Sequence, residues 1–144
     1  MAGFVTADDE RREREVADII EQKWDCKLRK FGRFDPIDFW AERSGEVVAF
    51  FEIKCRNVPS TKYETVFVTM RKFLDLLRAQ EWSNGGAKSF IVLRWTDCAG
   101  WLEVTNLVPG DLTVLRRIEH RVEQDVEPAF EVPIASFTMF HQFT

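Results

Sequence analysis

The run VVAFFEIKCR at residues 47–56 is the most strongly β-forming stretch of the chain and constrains the fold more than any other segment. Its β-branched and aromatic residues favour a buried strand. Alternate residues of a strand share a face, so Glu52 and Lys54 project together, about 7 Å apart along the pleat, while Phe51 and Ile53 face the core. An acid and a base placed in this way indicate either an ordinary solvent-facing pair or a chemical site.

The segments around this strand predict an α+β fold, α/β/α-like in outline, with a mixed central sheet flanked by two helices. Residues 8–24 and 70–82 carry apolar side chains at helical spacing, and Asp8 or Asp9 and then Thr69 are candidate caps. The predicted inward face of the second helix consists of Phe73, Leu74, Leu76 and Leu77.

Short β-forming runs separated by turn residues predict the strands. They lie at residues 26–31, 37–42, 47–56, 65–68, 89–95 and 101–104. The first, second and third form a meander, and residues 111–143 are expected to be β-rich or extended. With 144 residues, the chain is expected to form a single domain over residues 1–144.

Charge and cysteine content limit the function classes and the compartment. The formal net charge of −4 argues against coating nucleic acid by bulk electrostatics, although it permits a local basic surface. The three cysteines contain no CxxC pair and are expected to be free thiols in a reducing compartment. No leader pattern or membrane-length apolar run is evident, so we expect a cytoplasmic protein without a membrane partner.

A hairpin would bring a second carboxylate to the strand at residues 47–56. If the chain turns at residues 44–45, paired positions sum to about 89 or 90, so Asp38 meets Phe51 or Glu52. Two hard oxygen ligands suit a divalent cation such as Mg²⁺, which keeps several waters and contacts phosphate. Lys54 could then orient a water molecule or offset negative charge.

Asp38 followed by Glu52-Ile53-Lys54 at the end of an apolar strand resembles the motif of the PD-(D/E)XK nuclease superfamily, particularly its small phage-encoded members. The resemblance implies a restriction-endonuclease-like core and a metal-dependent nuclease that hydrolyses phosphodiester bonds in DNA. It further implies that Asp38, Glu52 and the Ile53 carbonyl bind Mg²⁺ or Mn²⁺, with Lys54 as the catalytic lysine. Asp35, which precedes Pro36, is a rival ligand, but a turn is its simpler role.

The same resemblance implies further site residues on the two helices. Glu13 corresponds to the acid that many members carry on the first helix, and Lys72 to the lysine or glutamine of the second. Arg56 and Lys62 would contact DNA phosphates together with Lys72. The resemblance leaves a homodimer open, implies no organic cofactor, and places a phage-encoded member in the host cytoplasm.

A non-catalytic module is the competing hypothesis. The nuclease fold would then serve to bind nucleic acid or a protein partner, with the acidic segment at residues 119–131 as a contact surface. A fold indicates common ancestry more reliably than it indicates catalytic activity. The geometry of the functional site is therefore needed to choose between the nuclease and the binding module.

Overall fold

The structure, a computed structural model, describes residues 7–32, 35–83, 86–107, 112–116 and 126–144. Within these ranges the apolar patterns of the chain produce two α-helices and nine strands. The helices are α1 (Ala7–Trp24) and α2 (Met70–Trp82). The strands are β1 (Lys27–Lys30), β2 (Phe39–Arg43), β3 (Glu46–Cys55), β4 (Thr65–Thr69), β5 (Lys88–Arg94), β6 (Cys98–Glu103), β7 (Leu112–Arg116), β8 (Val126–Pro133) and β9 (Thr138–Gln142).

The strands form a mixed sheet and a smaller antiparallel sheet. The first has the order β1-β2-β3-β5-β6-β9, and its β3–β5 pair is parallel. Parallel neighbours need a long crossover, which β4 and α2 supply. The second sheet has the order β4-β8-β7. The predicted α+β class with a mixed sheet and a β-rich C-terminal region is therefore confirmed, and β4 lies in the second sheet.

Helix α1 covers one face of the six-stranded sheet. Its residues Val16, Ala17 and Ile20 are fully buried in a cluster that includes Phe51 and Ile53 of β3. The helix begins at Ala7, so Asp8 and Asp9 lie within its first turn, where acids favour the helix dipole, and neither is the cap.

Helix α2 packs on the opposite face of the sheet. Thr69 caps it as predicted, because its Oγ1 accepts a hydrogen bond from the Lys72 backbone N–H at 3.3 Å. Leu76 is fully buried, and Phe73 is partly buried against Phe130 of β8. The predicted inward position of Leu74 is wrong: it lies about 100° around the helix from Phe73 and is 37% exposed.

The remaining predictions differ from the structure at element ends. β2 begins at Phe39, β3 ends at Cys55, and β6 begins at Cys98 inside the predicted turn. Most of the acidic segment 119–131 lies outside the described residues, as do residues 84–85 after α2. Neither described helix has the length and apolar character needed to cross a membrane.

Leu76 and Leu74 offer a matched test of this packing. We expect Leu76→Ala to lower the free energy of unfolding by about 2–5 kcal/mol, because it leaves a cavity between α2 and the sheet. Leu74→Ala, on the same helix, should change it by less than about 1 kcal/mol. Urea denaturation of both variants measures the difference, and equal losses would contradict the packing described for α2.

Candidate active site

The β2–β3 hairpin sets which side chains meet at its open end. Phe39 pairs with Phe51, so their numbers sum to 90, and this register extended by one residue brings Asp38, just before β2, opposite Glu52. A bulge after Ala41 shifts the pairs nearer the turn by one residue. Residues 44–45 close the hairpin with positive φ at both positions, as a tight two-residue turn requires. Asp38 and Glu52 therefore lie side by side.

Asp38 is fixed to the backbone of the neighbouring strand. Its Oδ2 accepts a hydrogen bond from the Ile53 backbone N–H at 3.1 Å, and the residue is half-buried. Asp35 has a different environment: it is exposed, and its Oδ2 accepts a hydrogen bond from the Gly32 N–H at 2.7 Å. The Asp35 N–H donates back to the Gly32 carbonyl at 3.0 Å. Asp35 thus closes a turn, while Asp38 lies at the strand junction.

Glu52 is a buried carboxylate with little compensation. It is only 6% exposed, and its buried Oε2 accepts no hydrogen bond of adequate geometry within the described part of the chain. Lys72 Nζ lies 3.2 Å from this oxygen as an ion pair. Burial, with a smaller contribution from the Asp38 charge, raises the pKa of Glu52 to about 7, although Lys72 and Lys54 act in the opposite direction.

Lys72 enters the site from the first turn of α2. The Thr69 cap determines where this helix begins, and the Lys72 side chain extends from there to Glu52. Its Nζ also donates a hydrogen bond to the Pro36 carbonyl, two residues before Asp38. Lys72 therefore joins the β2 end of the hairpin to the Glu52 carboxylate.

A groove opens beside these groups. Its volume is about 980 Å³, and it lies between the six-stranded sheet, β4 and the start of α2. Glu52 and Lys54 share the face of β3 that lines this groove, and Arg56, the first residue after β3, lines it as well; Glu52 is buried and the other two are exposed. Lys62 is exposed on the loop that leads to β4, next to groove-lining Tyr63.

Glu13 is not among the groove residues. Its carboxylate forms an ion pair with Lys30 of β1 at 2.7 Å. This hydrogen bond is the main cause that raises the pKa of Lys30, and the Asp38 charge adds to it. Glu13 therefore affects the site only through Lys30, which lies near both Glu13 and Asp38.

Buried Arg12 holds the strand end that carries Arg56. Its Nη2 donates to the Arg56 carbonyl at 2.9 Å, and its Nη1 donates to the Asn57 side chain. Arg94 of β5 is buried as well, and its Nη1 lies 3.2 Å from Glu15 Oε2. Contacts from the first turns of α1 thus fix the position of the chain where it leaves β3 and passes along the groove.

The donor set fits a small divalent cation. Asp38 and Glu52 supply hard oxygen atoms, and Glu52 Oε2 is buried without a hydrogen bond. No cluster of three or more aspartate, glutamate, histidine or cysteine side chains occurs among the described residues. A cation here would therefore be completed by backbone oxygen and water, which is the coordination that Mg²⁺ commonly adopts.

Comparison with known proteins identifies the family and the fold of the chain. The sequence matches the family model described as phage putative PDDEXK endonuclease over residues 2–140. The chain belongs to this family. Its structure resembles that of Hjc from Archaeoglobus fulgidus, described as a Holliday junction resolvase from an archaeal hyperthermophile, with a TM-score of 0.53 and 13% identity over 88% of this chain and 85% of that chain. No curated protein matches the sequence.

The predicted membership of the PD-(D/E)XK superfamily and the restriction-endonuclease-like fold are therefore confirmed. Family membership supports a nuclease of the PDDEXK type, with nucleic acid as its substrate.

Sequence reasoning missed three residues around the candidate site. Lys30 could have been found from strand pairing, because it lies opposite Phe39, next to Asp38. Arg71 precedes Lys72 at the start of α2, and only the position of the helix shows that it lines the groove. Tyr63 lies in a loop, where no periodicity indicates the direction of a side chain.

The raised pKa of Glu52 predicts an unusual pH dependence of stability for the metal-free protein. The folded state binds this proton more tightly than the unfolded chain, whose glutamate titrates near 4.5, so the free energy of unfolding falls between about pH 4.5 and about 7. Glu52→Gln removes this loss. We expect the variant to exceed the wild type at pH 8 by on the order of 1–3 kcal/mol, with a much smaller difference at pH 4.5.

Urea denaturation in chelator at both pH values measures this effect. Glu46→Gln, which changes an exposed carboxylate of the same strand, is the control and should show no such dependence. A Glu52→Gln variant that is less stable than the wild type at pH 8 would contradict the description of Glu52 as a costly buried charge.

Proposed function

We propose that this protein is a divalent-metal-dependent deoxyribonuclease that hydrolyses phosphodiester bonds. The observation that carries the proposal is the buried, poorly compensated Glu52 carboxylate beside Asp38, at the edge of a groove with exposed cations. Such a carboxylate destabilises the fold, so its presence is best explained by a ligand that it binds.

In this proposal Asp38, Glu52 and the Ile53 backbone carbonyl hold Mg²⁺ or Mn²⁺. The Ile53 N–H already fixes Asp38 Oδ2, which leaves the other carboxylate oxygen available. A bound cation would supply positive charge against the scissile phosphate and lower the pKa of the attacking water.

Lys54 is proposed to assist the attacking water. It projects from the same face of β3 as Glu52, is exposed, and forms no ion pair within the described residues. Its ammonium group can hold the water by a hydrogen bond and offset the negative charge that grows on the phosphate oxygens. Of the cations in this region, Lys54 is the nearest in sequence to the carboxylate pair.

Lys72 and Glu13 are given supporting roles. Lys72 is the counter-ion of Glu52, and its Nζ is close enough to the groove to bind a phosphate oxygen instead. Glu13 is proposed as a positioning residue, because it orients Lys30 beside Asp38. Arg56 and Lys62 would bind phosphates further along the DNA strand.

The distribution of unpaired cations supports nucleic acid binding at the groove. Within the described residues, several cations near the groove and along α2 form no ion pair. They are Lys54, Arg56, Lys62, Arg71 and Arg78. Some other cations pair with acids, as Arg14 of α1 does with Asp18 and Lys88 of β5 with Glu103, whereas Lys23 and Lys27 pair with none among the described residues. Unpaired cations are the ones free to neutralise phosphates.

The alternative is a non-catalytic module that binds nucleic acid or a protein partner. One observation favours it: only two acidic side chains converge within the described residues, and Lys72 already neutralises one of them. Chemistry requires the cation, so cation binding separates the two hypotheses.

We expect nicking of supercoiled DNA in Mg²⁺ or Mn²⁺ and none in chelator. Glu52→Ala and Lys54→Ala should each lower the rate at least about 100-fold, because they remove a ligand or charge stabilisation in the transition state. Glu46→Ala, at an exposed acid of the same strand, should cut at the wild-type rate. Calorimetry that detects no Mn²⁺ binding by the folded wild type would favour the module.

The proposed phosphate contacts have their own test. Arg56→Gln should weaken DNA binding measured in chelator and reduce the slope of log K against log salt by about 1, as expected for the loss of one phosphate contact. Lys88→Gln removes a cation that is already paired with Glu103 and should leave the slope unchanged. Equal slopes for Arg56→Gln and the wild type would remove Arg56 from the interface.

A further inference from the structure

The groove has a strand edge as one wall. All five residues of β4, Thr65–Thr69, line it, which places the strand's edge and not just one of its faces along the groove. Among the described strands β4 pairs only with β8, so its other edge carries backbone N–H and C=O groups without strand partners. This wall offers hydrogen-bond donors to a ligand that lies along it.

The floor of the groove is apolar. Ile91 and Leu93 of β5, beside Glu52 and Lys54 in the parallel β3–β5 pairing, are buried beneath it, and its accessible apolar surface comes from half-buried Val58 and Val66 and from Phe67, which is 41% exposed. A DNA duplex presents phosphates and sugars on its outside and keeps the faces of its bases stacked inside. An apolar floor therefore has little to bind on an intact duplex, whereas an unpaired base can place its flat face there.

Tyr63 stands exposed at this groove. It is the only tyrosine of the chain, is 60% exposed, and lines the groove from the loop before β4. A tyrosine ring that lines a groove is a common platform for stacking a base, because its face is apolar and its hydroxyl can stay in water.

The loop that carries Tyr63 is held in place by specific contacts. The Ser60 N–H donates to Asp97 Oδ1 at 2.8 Å, and the Ser60 hydroxyl donates to Asp97 Oδ2 at 2.7 Å. The Thr96 N–H also donates to the Val58 carbonyl at 3.1 Å, and the Lys62 N–H donates to the Pro59 carbonyl at 3.0 Å. The exposure of Tyr63 is thus a feature of an anchored loop, which can present the ring at little entropic cost.

Unpaired cations border the same space. Lys54, Arg56 and Arg71 all line the groove, and none of them forms an ion pair within the described residues. The carboxylates Glu64 and Asp75 line it too, so that with the Lys72–Glu52 pair the groove has an excess of one positive charge. Positive charge at the rim with apolar surface below is the combination that single-stranded nucleic acid binds, because its backbone and bases are both accessible. A peptide strand could use the β4 edge, but it would not account for these cations.

We propose that the groove binds an unpaired DNA strand, with a base stacked on Tyr63 and its phosphates on Lys54 and Arg56. The volume of about 980 Å³ accommodates on the order of one or two nucleotides. This inference rests on the proposed function only for the position of the scissile phosphate beside Glu52. The preferred substrate is then a duplex with a frayed end, an overhang or a branch.

The test is DNA binding in chelator, where no cleavage interferes. Fluorescence anisotropy compares a blunt duplex with the same duplex carrying a single-stranded extension. We expect the extended duplex to bind at least about tenfold more tightly. Tyr63→Ala should reduce this preference at least about fivefold, since it removes the aromatic ring on which the base stacks, and Tyr63→Phe should retain it.

Trp82→Ala is the matched control. Trp82 is an aromatic residue that is 91% exposed at the far end of α2, outside the groove, so its removal should leave the preference unchanged. A 2-aminopurine in the extension should change its fluorescence on binding to the wild type and Tyr63→Phe but not to Tyr63→Ala. Thermal unfolding of each variant confirms that it is folded.

The outcomes separate this inference from the proposed function. Equal affinity for blunt and extended duplexes, or an unchanged preference in Tyr63→Ala, overturns the inference even if Glu52-dependent cleavage occurs in Mg²⁺. A Tyr63-dependent preference without cleavage under any metal condition supports the inference and rejects the nuclease proposal alone.

Discussion

The hydrogen bond from the Ile53 N–H to Asp38 Oδ2 joins β3 to the residue that precedes β2, at the open end of the β2–β3 hairpin. It matters because strand side chains alternate between faces, so a slip of one residue would turn Glu52 into the α1 core and expose Ile53. The bulge after Ala41 and the tight turn at residues 44–45 fix the register that makes this contact possible. Backbone pairing, rather than any side-chain attraction, therefore brings two mutually repelling carboxylates together.

The two faces of β3 divide stability from chemistry. On the α1 face Phe51 and Ile53 are packed with fully buried helix residues, which supplies the apolar burial that holds the strand. On the α2 face the same strand carries Glu52 and Lys54, and only Lys72 compensates the buried charge. The α2 face of β3 can hold a buried charge because packing on the α1 face stabilises the strand.

Several features of this arrangement could be predicted from the sequence because they depend on local pattern. The alternation within β3, the Thr69 cap and a pairing sum of 89 or 90 follow from spacing alone, and both sums occur, one on each side of the bulge. Partners distant in sequence could not be predicted. β4 reads as a strand, but nothing in its residues shows that it pairs with β8, more than sixty positions later, and not with the central sheet.

The net charge of −4 is a poor guide to the binding partners of the chain. Acids on α1 are largely engaged with neighbouring cations, as Glu13 is with Lys30 and Asp18 with Arg14, so these pairs project little field. The groove is lined by four cations and three carboxylates, and of those cations only Lys72 forms an ion pair within the described residues, so a small excess of positive charge faces a space bounded by low-dielectric sheet surface. What an approaching phosphate meets is the local imbalance, and a protein of negative net charge can therefore attract DNA at one groove while remaining acidic elsewhere.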